Sequence, residues 1–186
     1  MLNSFYTRLC PVSLPFKGRQ HYMHTFDLAN PVMLPGFEDY LEPVLKLCRA
    51  AGALTGFAHM TVDEKIVKAG CSQRRPKPHV DGCFTGTYWG HKPSWLHYCN
   101  DITHSPIKRM AVIVAASAPG CRVWHGMFEG EPREDGDLSH ISDQLGGGKI
   151  LPANVGYLLS PDCVHESMIM EKDTQRTFLR IALPNE

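Results

Sequence analysis

Two histidines and one aspartate form the clearest candidate site in this chain. His79 and Asp81 are two residues apart, so an extended backbone directs both side chains to the same side. Pro76 and Pro78 favour that extended backbone, and His165 follows an apolar segment far downstream. Two imidazoles and one carboxylate make the facial triad that binds non-haem Fe(II) and leaves coordination positions open. We therefore predict a metal site at His79, Asp81 and His165, although the HxD pattern by itself also fits a histidine in a surface turn.

Two arginines follow His165 on an otherwise apolar segment. Arg176 and Arg180 are expected to share one face of a strand. A guanidinium directed into a protein core is costly unless it meets an anion, and a carboxylate is its natural bidentate partner. The alternative is an arginine in solvent at a strand end, or one paired with Glu166 or Asp173. We expect at least one of the two arginines to bind an anion.

The HVD motif, the distant histidine and the late arginines together resemble the Fe(II)/2-oxoglutarate-dependent oxygenase superfamily. The resemblance covers about residues 77–183 and implies a double-stranded β-helix, or jelly-roll, core. It implies that His79, Asp81 and His165 bind Fe(II) and that 2-oxoglutarate and O₂ are co-substrates. The implied reaction couples decarboxylation of 2-oxoglutarate to oxidation of a substrate C–H bond, most often hydroxylation.

The resemblance also implies a role for the arginines, since the far carboxylate of 2-oxoglutarate binds a cation on a late strand in this family. Arg176 matches the usual offset from the second histidine, and Arg180 matches the longer offset of some branches. Both therefore stay candidates for binding 2-oxoglutarate. Members often have Ser or Thr two residues after this arginine, whereas Phe178 and Ala182 occupy those positions here.

Two other hypotheses fit the same residues. A cupin-like enzyme or metal-binding module would bind a metal without 2-oxoglutarate and often uses more histidines, which are available here at His91, His97, His104 and His125. A non-catalytic jelly-roll module would carry the triad by accident. The arginine pair favours the oxygenase over the cupin-like alternative.

The substrate is expected to be a small molecule or a protein side chain, and the sequence does not identify it. The residues after the HVD motif that are candidates for stacking on it or hydrogen-bonding to it are Tyr88, Trp89, His91 and Trp95. They also fit ordinary core or surface positions. Arg74, Arg75 and Lys77 form a basic cluster that suits an acidic or phosphorylated substrate, or a solvated turn.

The elements that would position these residues are mostly strands. Strands are predicted over residues 55–67, 84–89, 110–116, 121–124, 155–159 and 177–183. One amphipathic helix is predicted at about 36–52, with an apolar face formed by Phe37, Tyr40, Leu41, Val44, Leu45, Cys48 and Ala51. Pro43 indicates that its regular part begins late or is bent. We thus predict a single domain over 1–186, mainly β, with a jelly-roll core at about 55–184 and an N-terminal helical flank.

Residues 129–149 interrupt this pattern with a polar stretch that ends in three glycines. Leu138, Ile141 and Leu145 are spaced to face one way on a short helix. A long excursion of this kind is often functional, so we predict a candidate lid, with an inert surface insertion as the alternative.

Composition limits the classes of partner. The 19 basic and 19 acidic residues balance, so net charge gives no support for a nucleic-acid or membrane partner. Seven cysteines, an odd number without a CxxC pair, predict free thiols and a cytoplasmic protein. We expect no signal peptide and no membrane span, and the sequence does not indicate an oligomeric state.

Overall fold

A mainly β architecture is seen in the computed structural model, which describes residues 1–81, 111–133 and 135–183. The strands are β1 (Leu2–Ser4), β2 (Tyr6–Pro11), β3 (Gln20–Asp27), β4 (Phe57–Val67), β5 (Val112–Ala116), β6 (Cys121–Val123), β7 (Gly126–Phe128), β8 (Lys149–Ile150), β9 (Val155–Leu159), β10 (His165–Ser167) and β11 (Thr174–Ala182). The helix α1 spans Leu41–Ala50, and short 3-10 helices span Glu38–Tyr40 and Ser139–Gln144.

A six-stranded sheet forms the larger layer, with the strand order β2-β9-β5-β11-β4-β3. Strands β10, β6 and β8 form a second sheet, and β1 pairs with β7. All pairings between the described strands are antiparallel. Because β11 pairs with both β4 and β5, it lies in the centre of the large sheet, where its side chains are shielded on both sides.

The two faces of the large sheet have different partners because successive side chains of a strand alternate between faces. The outer face packs against α1, where Val44 and Leu47 contact a core that includes Met60, Ile113 and Ile181. The inner face packs against the smaller sheet through a second core that includes Val112, Val114, Tyr157, Phe178 and Val123. The molecule is therefore layered in the order helix, large sheet, small sheet.

Polar residues occupy part of the inner face. Arg180 in β11 is paired in register with Thr61 of β4 and with Val114 of β5. One step along, Phe178 is opposite Asp63, whose side chain is fully buried. Arg176 follows on the same side of β11 and is 1% exposed. The sheet thus presents charged side chains to the space between the two layers, which is where the candidate site lies.

The predicted helix is present, and its regular α-helical part begins at Leu41, late as Pro43 indicated. Pro43 lies in the first turn, where a missing backbone N–H leaves no gap in the hydrogen bonding. The buried face includes Tyr40, Val44, Leu47 and Cys48. Leu41, assigned to that face from the sequence, is 36% exposed, whereas Leu47, which was not assigned to it, is fully buried.

Strands β2 and β3 were not predicted, although they form the two edges of the large sheet. Strand β2 pairs with β9 and β3 pairs with β4. Both pairings contain a register shift, between Arg8 and Pro11 and between His21 and His24, so neither strand shows a regular alternation of burial. The sheet therefore extends beyond the predicted core boundary at residue 55.

The described cysteines, Cys10, Cys48, Cys71, Cys121 and Cys163, are free thiols. In the described part of the chain, no helix has the length and apolar character needed to cross a membrane.

A buried ionic network joins the N-terminal segment to the outer face of β4. The Glu64 carboxylate accepts hydrogen bonds from the Arg19 guanidinium, from the backbone N–H groups of Lys17 and Arg19, and from the Tyr40 hydroxyl. Arg19 also forms a bidentate pair with Asp39, which precedes α1. Burial opposes ionisation of Glu64, but these donors outweigh it and lower its pKa. A single carboxylate thus connects β3, β4 and the start of α1.

We predict that Glu64→Ala lowers the free energy of unfolding by about 3 kcal/mol or more, since removing one partner of a buried pair leaves the other uncompensated. Tyr40→Phe, which removes one hydrogen bond to the same carboxylate, should cost only about 1 kcal/mol. Urea denaturation of the three proteins measures both values. Equal destabilisation by the two substitutions would show that the ionic network does not anchor this segment.

Candidate metal centre

The three predicted metal ligands lie together between the two layers. His79, Asp81 and His165 each offer one ligand atom, and these atoms lie within 4.8 Å of one another. His165 Nε2 is 3.7 Å from Asp81 Oδ2, and the two imidazole rings are 4.4 Å apart, centre to centre. His79 and His165 are 7% and 8% exposed. The group has the composition and closeness needed to bind one metal ion.

A reciprocal pair of backbone hydrogen bonds brings the two histidines together. The N–H of His79 donates to the carbonyl of His165, and the N–H of His165 donates to the carbonyl of His79, both at 2.9 Å. The two residues form an isolated antiparallel bridge. Residues opposite each other in such a pair have Cα atoms about 5.5 Å apart, so their side chains are neighbours. The backbone therefore sets the spacing of two ligands before any metal binds.

Each histidine is also held in the tautomer that a metal requires. Nδ1 of His79 lies 2.8 Å from the carbonyl oxygen of Lys77, and Nδ1 of His165 lies 2.9 Å from that of Cys163. A carbonyl only accepts, so each Nδ1 donates a proton, and Nε2 is the atom of each ring that is placed to bind a metal. Lys77 has φ of 75°, an unusual value for a residue with a side chain. This backbone turn is part of the geometry that orients His79.

The charges around the triad favour the forms that bind metals. Burial, reinforced by the nearby His165, lowers the pKa of His79 to about 3, so its imidazole is neutral at pH 7. Burial alone would raise the pKa of the Asp81 carboxyl. The nearby positive charge of Arg180 outweighs burial, with smaller contributions from the two histidines and Arg74, so the pKa is lowered. At neutral pH the site thus contains a neutral imidazole at His79 and a carboxylate at Asp81.

The segment 129–149 supports the metal motif from outside. Val80 donates its N–H to the carbonyl of Gly136, and Leu138 donates its N–H to the carbonyl of Pro78. Arg75 pairs with Asp135 at 2.9 Å. The predicted apolar face is present: Leu138 and Ile141 are buried in a core with Val80, Trp124 and Val164, and Leu145 packs against it. In this structure the candidate lid is anchored beside residues 78–80, and lid motion stays a prediction.

Arg180 lies against the metal group. Its Nε is 2.9 Å from Oδ2 of Asp81, the atom that also faces His165. The direction of the N–H bond does not meet hydrogen-bond geometry, so the contact is an ion pair. The charge of Arg180 is therefore offset by a side chain of the triad itself.

Arg176 has a different environment. Its Nε donates to the carbonyl of Ala118 at 3.0 Å, and its Nη1 donates to the side-chain oxygen of Gln73. Both acceptors are neutral, and no carboxylate among the described residues lies within ion-pair distance of this guanidinium. Burial lowers the pKa of Arg176, which reflects the cost of keeping this charge away from water. Arg176 is thus a buried cation without a carboxylate in ion-pair contact among the described residues, although the charge of Asp63 acts on it from farther away.

A small cleft lies beside this guanidinium, with a volume of about 240 Å³ including its open side. Its walls are formed by Arg176, Phe178 and mostly apolar residues, among them Val114, Ala116, Cys121, Leu151 and Val155. Burial raises the pKa of Cys121 to about 12, so its thiol is neutral and does not balance Arg176.

Gln73 is the residue of this site that the sequence did not reveal. It is 4% exposed, and its amide nitrogen donates to the carbonyl of Asp63 while its oxygen accepts from Arg176. A lone glutamine beside a basic cluster carries no local signal of this role, because its partners come from β4 and β11.

The predicted substrate contacts Tyr88, Trp89, His91 and Trp95 lie outside the described residues, as does the strand predicted over 84–89. The same holds for His91, His97 and His104, three of the additional histidines that a cupin-like site would use. The fourth, His125, is exposed, packs edge-on against Tyr6 and is not grouped with the triad.

Comparison of the chain with known protein families, curated proteins and solved structures found no match.

We predict that His79→Ala, Asp81→Ala and His165→Ala each lower the affinity for Fe(II) more than about 100-fold, since even residues that only support a ligand change affinity 10- to 100-fold. Anaerobic titration calorimetry measures the binding. His125→Ala is the matched control and should bind Fe(II) as the wild type does. Unchanged affinity in the three triad variants would place the metal elsewhere.

Proposed function

We propose that this protein is a non-haem Fe(II) oxygenase that uses 2-oxoglutarate and O₂ to oxidise a C–H bond of its substrate. One observation carries the proposal: a His–Asp–His group contacts Arg180 of β11, and Arg176, on the same side of that strand, is buried with no carboxylate partner among the described residues. The first feature fits a metal, and the second fits the acid that would bind beside it.

The donor set fits Fe(II). Two neutral imidazoles and one carboxylate on one side of an ion are the ligands of non-haem iron oxygenases, and they leave positions for other ligands. Both His79 and His165 have Nε2 available, because their Nδ1 atoms donate to backbone carbonyls. The pairing of Asp81 with Arg180 fixes the third ligand in place. These supports around the ligands are typical of a metal site built to hold its geometry.

Arg176 is the better candidate of the two arginines for the far carboxylate of 2-oxoglutarate. Arg180 already has a carboxylate partner in Asp81, whereas Arg176 contacts neutral oxygens only. A buried charge without a counter-ion is costly, and a bound carboxylate would offset that cost. The cleft beside Arg176 is small and is lined mostly by apolar side chains. Phe178 lies within 5.7 Å of the guanidinium in place of the family's usual hydroxyl residue.

Iron with 2-oxoglutarate and O₂ would supply the oxidising chemistry, in which the 2-oxo acid becomes succinate and CO₂ and the substrate gains a hydroxyl oxygen. The chain would bind and orient the reactants. His79, Asp81 and His165 would hold the ion, and Arg176 with Gln73 would orient the acid. The apolar walls of the cleft would exclude water from it.

The fold supports the same proposal. Two antiparallel sheets pack face to face, and the ligands lie at the space between them. His165 begins β10 in the small sheet, while both arginines are on β11 in the large sheet. We propose that these layers are the two sheets of a double-stranded β-helix. The cupin-like alternative has less support among the described residues: of the four additional histidines that it would use, His125 is described, and it is not grouped with the triad.

We predict a visible metal-to-ligand charge-transfer band when Fe(II) and 2-oxoglutarate are added without oxygen. Arg176→Gln should raise the Kd for 2-oxoglutarate roughly 10- to 100-fold, because it removes a charged hydrogen-bond partner of the carboxylate. The affinity for Fe(II) should not change. Titration of the band measures the Kd. Absence of the band in the wild type would overturn the proposal, and a loss confined to Arg180→Gln would reverse the roles of the arginines.

Gly120 gives a second test of the Arg176 subsite. A Cβ atom at this position would lie 2.5 Å from Cε of Met170 and 3.1 Å from Nε of Arg176, and φ is 150°. We therefore predict that Gly120→Ala displaces the guanidinium and weakens 2-oxoglutarate binding while Fe(II) still binds. Gly147→Ala is the control, because no atom lies within 4 Å of its Cβ position. Equal Kd values for both variants would argue against this subsite.

A further inference from the structure

The three basic residues before the HVD motif have three different environments. Arg75 is paired with Asp135 and Asp137, so its charge serves to anchor the supporting segment. Lys77 is exposed. Arg74 is directed toward the inner face of the large sheet, where its guanidinium lies near the side chains of β4 and β11. The basic cluster is therefore more than a solvated turn, because Arg75 is ion-paired and Arg74 faces the large sheet.

Two aromatic rings hold the Arg74 guanidinium. Its Cζ atom is 5.2 Å from the ring centre of Tyr22 and 5.8 Å from that of Phe178. Both distances are within the range of a cation–π contact. The nearest carboxylate oxygen is Oδ2 of Asp63 at 3.9 Å, and the described residues offer no hydrogen bond to this guanidinium. Arg74 is thus positioned by ring faces, while its N–H donors are left for another partner.

The backbone of Arg74 is fixed as well. Its N–H donates to the Ser167 hydroxyl at 3.2 Å, and its carbonyl accepts from the Ser72 hydroxyl at 2.8 Å. The side chain is 34% exposed, so the guanidinium is accessible from outside. A fixed backbone and an accessible guanidinium suit a residue that anchors a ligand.

Phe178 separates Arg74 from Arg176. Its ring centre is 5.8 Å from Cζ of Arg74 and 5.7 Å from Cζ of Arg176. The guanidinium of Arg176 borders the small cleft, while that of Arg74 lies near the exposed ring of Tyr22. The Phe178 ring therefore lies between the two guanidinium groups. A ligand bound at Arg176 would leave the Arg74 guanidinium available to a second anion.

The charge balance of this region favours a second anion. Among the described residues of the inner face, four cations, Lys65, Arg74, Arg176 and Arg180, are grouped with two carboxylates, Asp63 and Asp81. A divalent metal ion would add two positive charges, and a dicarboxylate co-substrate would remove two. A surplus of about two positive charges would remain, and it would attract an anionic substrate.

We propose that Arg74 is a substrate anchor, which binds the carboxylate or phosphate of an anionic substrate beside the metal centre, with Tyr22 flanking the substrate. This inference rests on the proposed function, and it names the substrate class of the same site. The N–H of Arg74 donates to the hydroxyl of Ser167, two residues after His165 on β10, so this anchor is joined to the strand that carries the candidate ligand His165.

The test uses full-length protein loaded with Mn(II) and saturating 2-oxoglutarate, which occupies the Arg176 subsite. The probes are phenyl phosphate and phenylacetate, with benzyl alcohol as their uncharged counterpart. Bound Mn(II) accelerates the relaxation of ring protons that come near it. We expect a clear enhancement for at least one anion and none for the alcohol, and the two anions separate a phosphate preference from a carboxylate preference.

Arg74→Gln should reduce the enhancement at least fivefold, whereas Arg74→Lys, which keeps the charge, should retain part of it. Lys172→Gln is the matched control, because it removes one positive charge from an exposed position and should change nothing. Circular dichroism and Mn(II) binding confirm that each variant is folded and loaded. Equal enhancement in the wild type and Arg74→Gln, or none with either anion, would overturn the inference.

Failure of the proposed function gives a different result. If Mn(II) or 2-oxoglutarate does not bind, calorimetry with phenyl phosphate and phenylacetate on the metal-free protein still reports on Arg74. Anion binding that Arg74→Gln removes would then support the anion position without an oxygenase. Binding of metal and 2-oxoglutarate with no Arg74-dependent anion would leave the oxygenase proposal intact and overturn the anchor.

Discussion

The reciprocal backbone hydrogen bonds between His79 and His165 are the constraint on which the candidate site depends. They join two segments that are far apart in the chain, and they do so through atoms that every residue has. The side chains are consequently free to act as ligands and to donate their Nδ1 protons to Lys77 and Cys163. The rest of the site is arranged around this pair: β10 continues from His165, and the segment 135–138 pairs with the other edge of residues 78–80.

The large sheet contributes charge rather than metal ligands. Two positions on the inner face of β11, separated by Phe178, carry Arg180, which is paired with Asp81, and Arg176, which has no carboxylate partner within the described residues. Because the strand rises about 3.3 Å per residue, the Cα atoms of the two arginines are about 13 Å apart and their guanidinium groups serve different regions. A regular strand in the centre of a sheet holds such groups more firmly than a loop would, and Gly120 and Gln73 fix Arg176 from the side.

The features that could be predicted are those with a local signature. The i and i+2 spacing of His79 and Asp81, the apolar strand before His165 and the helix with Pro43 in its first turn are all readable in short windows. Strands β2 and β3 were missed because their bulges disrupt the alternation of buried and exposed residues. Gln73 and the carbonyl acceptors for the two histidines depend on backbone paths, including the positive φ of Lys77, that no residue type indicates. The environment of Arg74 likewise depends on Tyr22 and Phe178, which come from two different strands.

The position of β11 at the centre of the large sheet has a consequence for how the protein folds. Strand β11 lies between β4 and β5, and β9 lies between β5 and β2, so β2, β4 and β5 each pair with a strand from near the end of the described chain. Nearly all of the sheet is built from contacts between distant residues, and such topologies fold slowly because loops must close before pairing stabilises them. During synthesis, the apolar surfaces of β4 and α1 would emerge well before β11 can cover them. Folding of this protein is therefore expected to be a late and cooperative event, in which metal ligands, arginines and sheet come together at once.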